Sequence, residues 1–302
     1  FATKVWNATR FALRHTADLN TPPGLPPAEG MDEASRWILA RYDATLASAN
    51  DALDGYRFYE AADALYHFVW GDFCDWYLEA SKPALNGQEG PEAQNAARAV
   101  LGWVLERILA LLHPFMPFIT EELWHHLPWS KGDLIAAPWP GPSSRPADPA
   151  LVQYFLDLQD LTQRIRNLRI QAGAKPGVRL RASLASSGQP APAIPGWLVR
   201  MAGLAELQVV TREEDLLPGP REACRLGTVS VETGAVDPAE QQRQEKELVR
   251  VEAELARVEE KLGNTAFTSR APQEVVAKQA AIADELRTKA ERIKAMLANG
   301  PK

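Results

Sequence analysis

Cysteine is scarce in this sequence: Cys74 and Cys224 are the only two, about 150 residues apart. Neither belongs to a C-x-x-C pair, which argues against a disulfide framework or a zinc ribbon and leaves both as buried thiols. No apolar run reaches the roughly 18 residues of a membrane span, and no charged-then-apolar leader precedes the first helical segment, so a cytoplasmic protein is expected. The phosphate-cradling G-x-x-x-x-G-K-S/T loop, the G-x-S-x-G elbow and the dinucleotide fingerprint are also missing. Glu121-Glu122 and Glu213-Glu214-Asp215 are carboxylates adjacent in sequence, but helix neighbours do not face one another and no nucleophile accompanies them. His113, His125 and His126 have no cysteine or carboxylate at a spacing that would complete a tetrahedral zinc site. No catalytic residue and no metal ligand is therefore expected.

What is present is ordinary globular material, 46% hydrophobic and 24% charged, long enough for about two domains with real cores. The net charge of -6 excludes a general nucleic-acid coat. Its distribution matters more: residues 1–142 carry 10 Lys+Arg against 18 Asp+Glu, residues 143–236 carry 11 against 9, and residues 237–302 carry 12 against 12. A polyanionic partner would have to be met by local patches.

Two proline-rich joints, "NTPPGLPPAEG" at 20–30 and "LPWSKGDLIAAPWPGPSSRPADP" at 127–149, bracket a helical unit. Between them the apolar spacing predicts two long helices, then a third stopped at His113-Pro114 and a short one from about Ile119 to His126. With the opening helix these make an up-down bundle over residues 1–142. Trp70, Phe73, Trp76 and Tyr77 stand three and four apart and read as a buried stripe.

Residues 143–236 read as a small α+β connector. A helix places Phe155, Leu158, Leu161, Ile165 and Leu168 on one face, with Arg164, Arg166 and Arg169 around it, and stops at Gly173 before Pro176. For this basic surface, a nucleic-acid contact and a merely solvated face stand level. Strand-like stretches "VRLRASL", "LAELQVV" and "GTVSVETG" follow. Over residues 237–302, Leu248, Val251, Leu255, Val258 and Leu262 form a heptad seam. Val275, Ile282, Leu286, Ile293 and Leu297 continue one beyond "GNTAFTSRAP", which predicts an antiparallel coiled-coil hairpin. A hairpin closes its own seam, so a monomer is expected. The fold class is mainly α: bundle, connector and arm.

The opening stretch "FATKVWNATRFALRH" is already helical in period at its first residue, which reads as a cut from something longer. Phe1, Val5, Ala8 and Ala12 form an apolar face, while Lys4, Asn7, Phe11 and Arg14, with Arg10, carry donors. On this stretch alone, a solvated face and a binding face stand level.

Five stretches, in order, resemble the post-catalytic part of a valyl-tRNA synthetase: "KVWNATRF", "RWILAR", "FVWGDFCDWYLEASKPAL", "LLHPFMPFITEELWHHLP" and "KLGNTAFTSRAPQEVVAK". The first four are shared more loosely with isoleucyl and leucyl enzymes; the last resembles the valyl enzyme in particular. The resemblance implies an anticodon-binding helical bundle followed by a tRNA-binding arm, with valine tRNA as partner. It also implies that the His-x-Gly-His motif, the Lys-Met-Ser-Lys-Ser loop and the editing domain belong to missing domains of the same chain. ATP and magnesium go with those domains, and this segment would be inactive alone. Lys4, Asn7 and Arg10 match the family's Lys-x-x-Asn-x-x-Arg helix. That assigns Asn7 and Arg10 to anticodon bases or loop backbone and Lys4 and Arg14 to phosphates, with Phe11 stacking or packing inward. On the arm, Lys261, Arg270 and Lys278 would meet phosphates at the outer corner of tRNA, and Phe267 would supply an apolar contact. Thr9 and Gly263 depart from the usual residues. The same region of an isoleucyl or leucyl enzyme, or a non-catalytic structural helical module, is the alternative.

Overall fold

A computed structural model describes residues 1–146, 148–175, 177–186, 188, 191–233, 238–263 and 273–298. Helix α1 (Ala2–Thr16) buries Val5, Ala8 and Ala12, the face its apolar spacing predicts. Thr9 and Thr16 are buried on the same side, and each returns its hydroxyl to the carbonyl four residues back at 3.0 Å, so neither strands a polar atom. The departure at Thr9 thus faces the core and leaves the outer donors alone. Helix α2 (Glu33–Asp54) starts at Asp32, whose carboxylate accepts the Ser35 N–H at 2.6 Å as an N-cap. Trp37, Ile38, Tyr42 and Ala49 form its core face.

The second predicted long helix is three helical pieces in sequence: α3 (Phe58–His67), a π-helical run (Phe68–Tyr77) and α4 (Leu78–Leu85). Bonding five residues back widens the turn and changes which positions share a face. The buried set is Phe68, Val69, Phe73, Tyr77 and Leu78, at steps of four and five. Trp70 and Trp76, placed in the core by α-helical counting, are only half-buried at its margin. Helices α5 (Pro91–Leu112) and α6 (Pro117–His125) meet at the predicted break, where His113 Nδ1 and Thr120 Oγ1 lie 2.8 Å apart.

The proline-rich stretch after α6 returns along α2 as a strap. The Tyr42 hydroxyl donates to the Gly141 carbonyl at 2.8 Å, the Ser143 N–H donates to Asp43 Oδ1 at 2.7 Å, and Trp139 Nε1 donates to Asn50 Oδ1 at 2.9 Å. Side chains thus satisfy a backbone that proline keeps out of regular ladders.

Helix α7 (Pro149–Gln171) belongs to two cores. Leu151 and Phe155 join the bundle, while Leu161, Ile165 and Leu168 cover a four-stranded sheet. It ends as predicted, with Gly173 at φ +68 just past the terminus. The sheet is ordered β2 (Leu204–Val210), β1 (Leu180–Ser186), β4 (Gly227–Val231), β3 (Arg221–Cys224), with β1 parallel to β2 and antiparallel to β4. The parallel pair needs a crossover, supplied by α8 (Gly196–Met201). Sequence patterning showed neither α8 nor β3. The stretch "VRLRASL" alternates apolar with polar residues, yet Ala182 through Ala185 are all buried in β1. Residues 213–217 lie against the other face, where the Leu217 N–H donates to Ser183 Oγ at 2.8 Å and Leu216 is buried.

The last two helices, α9 (Pro238–Gly263) and α10 (Gln273–Ala298), pack on each other. Glu259 pairs with Arg287 and Glu252 with Lys294, so one index falls by seven as the other rises by seven. That is antiparallel packing. Among the described side chains the buried positions are Val251, Val258, Ala283 and Ala290; the two alanines were absent from the predicted seam, in which Ile282, Leu286 and Ile293 are half-buried.

Both cysteines are half-buried rather than fully buried. Burial raises both thiols above the ordinary value, Cys74 to about 12, so neither is a ready nucleophile at neutral pH.

Candidate nucleic-acid interface

Asn7, Arg10 and Arg14 follow one another at steps of three and four along α1, and all three are exposed. Neither guanidinium has a hydrogen-bond or ion-pair partner among the described residues. The helix beneath them is fixed from both ends. Arg98 of α5 donates from Nε to the His15 carbonyl at 2.5 Å and also binds Asp18, placing a cation at the helix C-terminus where the dipole favours it. Burial and the charges of Arg98 and Arg14 hold the His15 imidazole below its ordinary pKa. At the other end, Phe1 packs against Tyr66 with ring centres 5.1 Å apart.

Two residues of the predicted set are engaged within the protein. The Lys4 ammonium pairs with Asp75 at 2.5 Å and lies over the Trp70 ring, 3.8 Å from its centre. Phe11 is half-buried, against the bundle core and 5.0 Å from the His15 ring, the inward alternative. On the arm, Lys261 and Lys278 are exposed and lack ion-pair partners among the described residues. Phe267 and Arg270 lie outside the described residues.

The histidine region also brings carboxylates and an imidazole together. Glu121, His125 and Asp133 bring ligand-type atoms within 4.8 Å of one another. Asp133 stands eight residues beyond His125, and a turn brings it back. Glu121 is already engaged structurally, since its two oxygens accept the Leu134 and Ile135 N–H groups at 2.7 and 3.3 Å.

A second polar surface was not legible as a unit in the sequence. Arg41 of α2, His67 and Asp72 at the π-helical run, and Gln159, Gln163 and Arg166 of α7 line a groove of about 350 Å3. Arg41 Nε meets Asp72 Oδ2 at 2.8 Å on its floor. Burial raises the Asp72 pKa despite that partner.

No helix among the described residues is long and apolar enough to cross a membrane. A helical bundle with an exposed donor stripe, a small mixed sheet and a helical hairpin is the anatomy of the tRNA-recognition part of a tRNA ligase, and sequence comparison agrees. Residues 35–184 match the anticodon-binding domain of tRNA ligase, and residues 238–299 match the valyl tRNA synthetase tRNA binding arm. The chain belongs to the valyl-tRNA synthetase family. It is similar to the valine–tRNA ligase of Thermosynechococcus vestitus, 41% identical over 72% of this chain and 24% of the relative. It is also similar to that of Synechocystis, 37% identical over 92% of this chain and 32% of the relative, and to that of Rhizorhabdus wittichii, 38% identical over 99% and 33%. The chain thus spans a quarter to a third of the length of these relatives. The α1 donors precede the matched anticodon-binding region.

Proposed function

We propose that this chain is the tRNA-recognition portion of a valine–tRNA ligase, holding the anticodon loop on its bundle and the outer corner of the tRNA on its arm. The observation that carries the reading is the pairing, in one chain, of an anticodon-binding domain with an arm described for valyl enzymes. The arm is also what favours a valyl over an isoleucyl or leucyl parent. Exposed loop bases can be splayed and hydrogen-bonded, whereas a duplex stem offers mainly phosphates. Asn7 carries an amide suited to base edges, and Arg10 and Arg14 carry charge for bases or phosphates. Lys261 and Lys278 serve phosphates along the arm, joined in this reading by Arg270 and Phe267. Lys4 and Phe11 act chiefly by fixing α1. ATP, magnesium and valine belong to the remainder of such a ligase, and none of the residues described above is assigned to them. The chain works as a monomer in the cytoplasm.

The test is a titration with a valine tRNA transcript, the same transcript altered at the middle anticodon base, and an isoleucine tRNA, across a salt series. The expected result is salt-dependent binding with a loss of about 1–3 kcal/mol on the anticodon change. Equal affinity for all three would remove base readout from the bundle.

A further inference from the structure

We propose that the groove between α2, the π-helical run and α7 is a second RNA-backbone site, holding a phosphate of the bound tRNA on Arg166 and Arg41 and an adjacent ribose hydroxyl on Gln159 and Gln163. The inference rests on the proposed tRNA function and adds a contact surface to it.

The argument starts from what the three arginines of α7 do. Arg164 is held by Asp160 at 3.2 Å and Glu222 at 2.6 Å. Arg169 donates to the carbonyls of Gly203 and Val178. Both are spent on joining the helix to the sheet. Arg166 makes one long bond, 3.4 Å to the Met201 carbonyl, and stays exposed on the groove wall. The basic surface that sequence alone left undecided therefore reduces to one available guanidinium aimed at a groove.

The rest of the lining suits a nucleotide backbone. Gln159, Gln163 and Arg166 stand four and three apart, on one helix face. Gln163 donates from Nε2 to Asn167 at 3.0 Å, which leaves its carbonyl oxygen as an acceptor. Arg41 bonds Asp72 through Nε alone, so its terminal amino groups are unspent among the described residues. Asp72 is recessed, with its side chain 15% exposed, and it is the one carboxylate of the lining. Donors and acceptors side by side fit a 2′-hydroxyl, which is both, better than they fit a bare anion. The volume is near the lower end of the roughly 300–1,000 Å3 of ligand sites, but such sites are lined mostly by apolar groups. This groove is mostly polar, the character of a surface that tracks a backbone. Gly71 leaves its wall clear: a Cβ there would have no atom within 4 Å.

That clearance supplies a test independent of charge. The unaltered chain, Arg166→Ala, Gly71→Leu and the control Arg212→Ala are titrated with valine tRNA transcript over a salt series, with thermal unfolding measured in parallel. Arg166→Ala is expected to weaken binding roughly 10-fold and to lower the log–log salt slope by about one. Gly71→Leu weakens binding similarly by filling the groove while its melting temperature holds or rises, since glycine is a poor helix former, and Arg212→Ala binds as the unaltered chain does. If both groove variants bind as tightly as the unaltered chain, the inference falls while the proposed function stands. If the unaltered chain does not bind the transcript at all, both fall.

Discussion

The ammonium of Lys4 sits 3.8 Å from the centre of the Trp70 ring and pairs with Asp75 at 2.5 Å, tying α1 to the π-helical run. The charge is thereby spent inside the protein. Lys4→Ala is expected to cost about 0.5–1 kcal/mol of stability, the range of a cation–π contact or a screened surface pair, with little loss of tRNA affinity. Arg10→Ala should do the reverse, since its guanidinium has no partner among the described residues to lose. Denaturant unfolding and tRNA titration of the two variants check this together; a tRNA defect in Lys4→Ala larger than in Arg10→Ala would return the phosphate contact to Lys4.

How much of this was readable beforehand differs by element. The core face of α1 and the heptad of α9 follow from apolar spacing alone, and both are where counting placed them. The π-helical run was not readable, because counting assumes 3.6 residues per turn and nothing in "FVWGDFCDWY" announces a wider one. Arg164, Arg166 and Arg169 are alike in sequence; their partners Glu222 and Gly203 come from the sheet and its approach, more than 30 residues on. Likewise Asp133 reaches His125 only through the turn after α6. What sequence misses here is what tertiary contact decides.

The stacking of Trp37 on Phe155, with ring centres 4.4 Å apart and planes 8° from parallel, joins α2 to α7. Trp197 of α8 continues the cluster against Phe155 at 6.2 Å and Trp76 at 6.1 Å. Because α7 serves both cores, bundle and connector should unfold in one cooperative transition. Phe155→Ala should destabilise that transition by about 3–5 kcal/mol. Calorimetry decides: two separate endotherms for bundle and sheet in the unaltered chain would refute the shared core.

His15 gives the chain a pH-dependent contribution. Burial, then Arg98 and Arg14, disfavour its protonated form in the folded chain, while the unfolded chain keeps the ordinary value of 6.5. The unfolded state therefore binds protons more readily, and acidification through the ordinary value of 6.5 removes stability. In His15→Gln this part of the pH dependence of the melting temperature should flatten. An unchanged slope would assign the acid sensitivity to other groups.

The arm offers a test of how its two helices approach. Ala283 and Ala290 are 4% exposed each and seven residues apart, matching Val251 and Val258, also seven apart on the facing helix. Small side chains at buried seam positions leave no room for added methyl groups. Ala290→Leu should cost about 1–3 kcal/mol of arm stability, whereas the exposed Ala281→Leu should be near neutral, since both residues are strong helix formers. Helicity followed through thermal unfolding separates the two variants. If Ala290→Leu instead raises the melting temperature, the seam has space to fill, and sedimentation of that variant would show whether a second copy of the chain fills it. A seam closed within one chain predicts that the unaltered protein sediments as a monomer, and that Ala290→Leu weakens tRNA binding only as far as it unfolds the arm carrying Lys261 and Lys278.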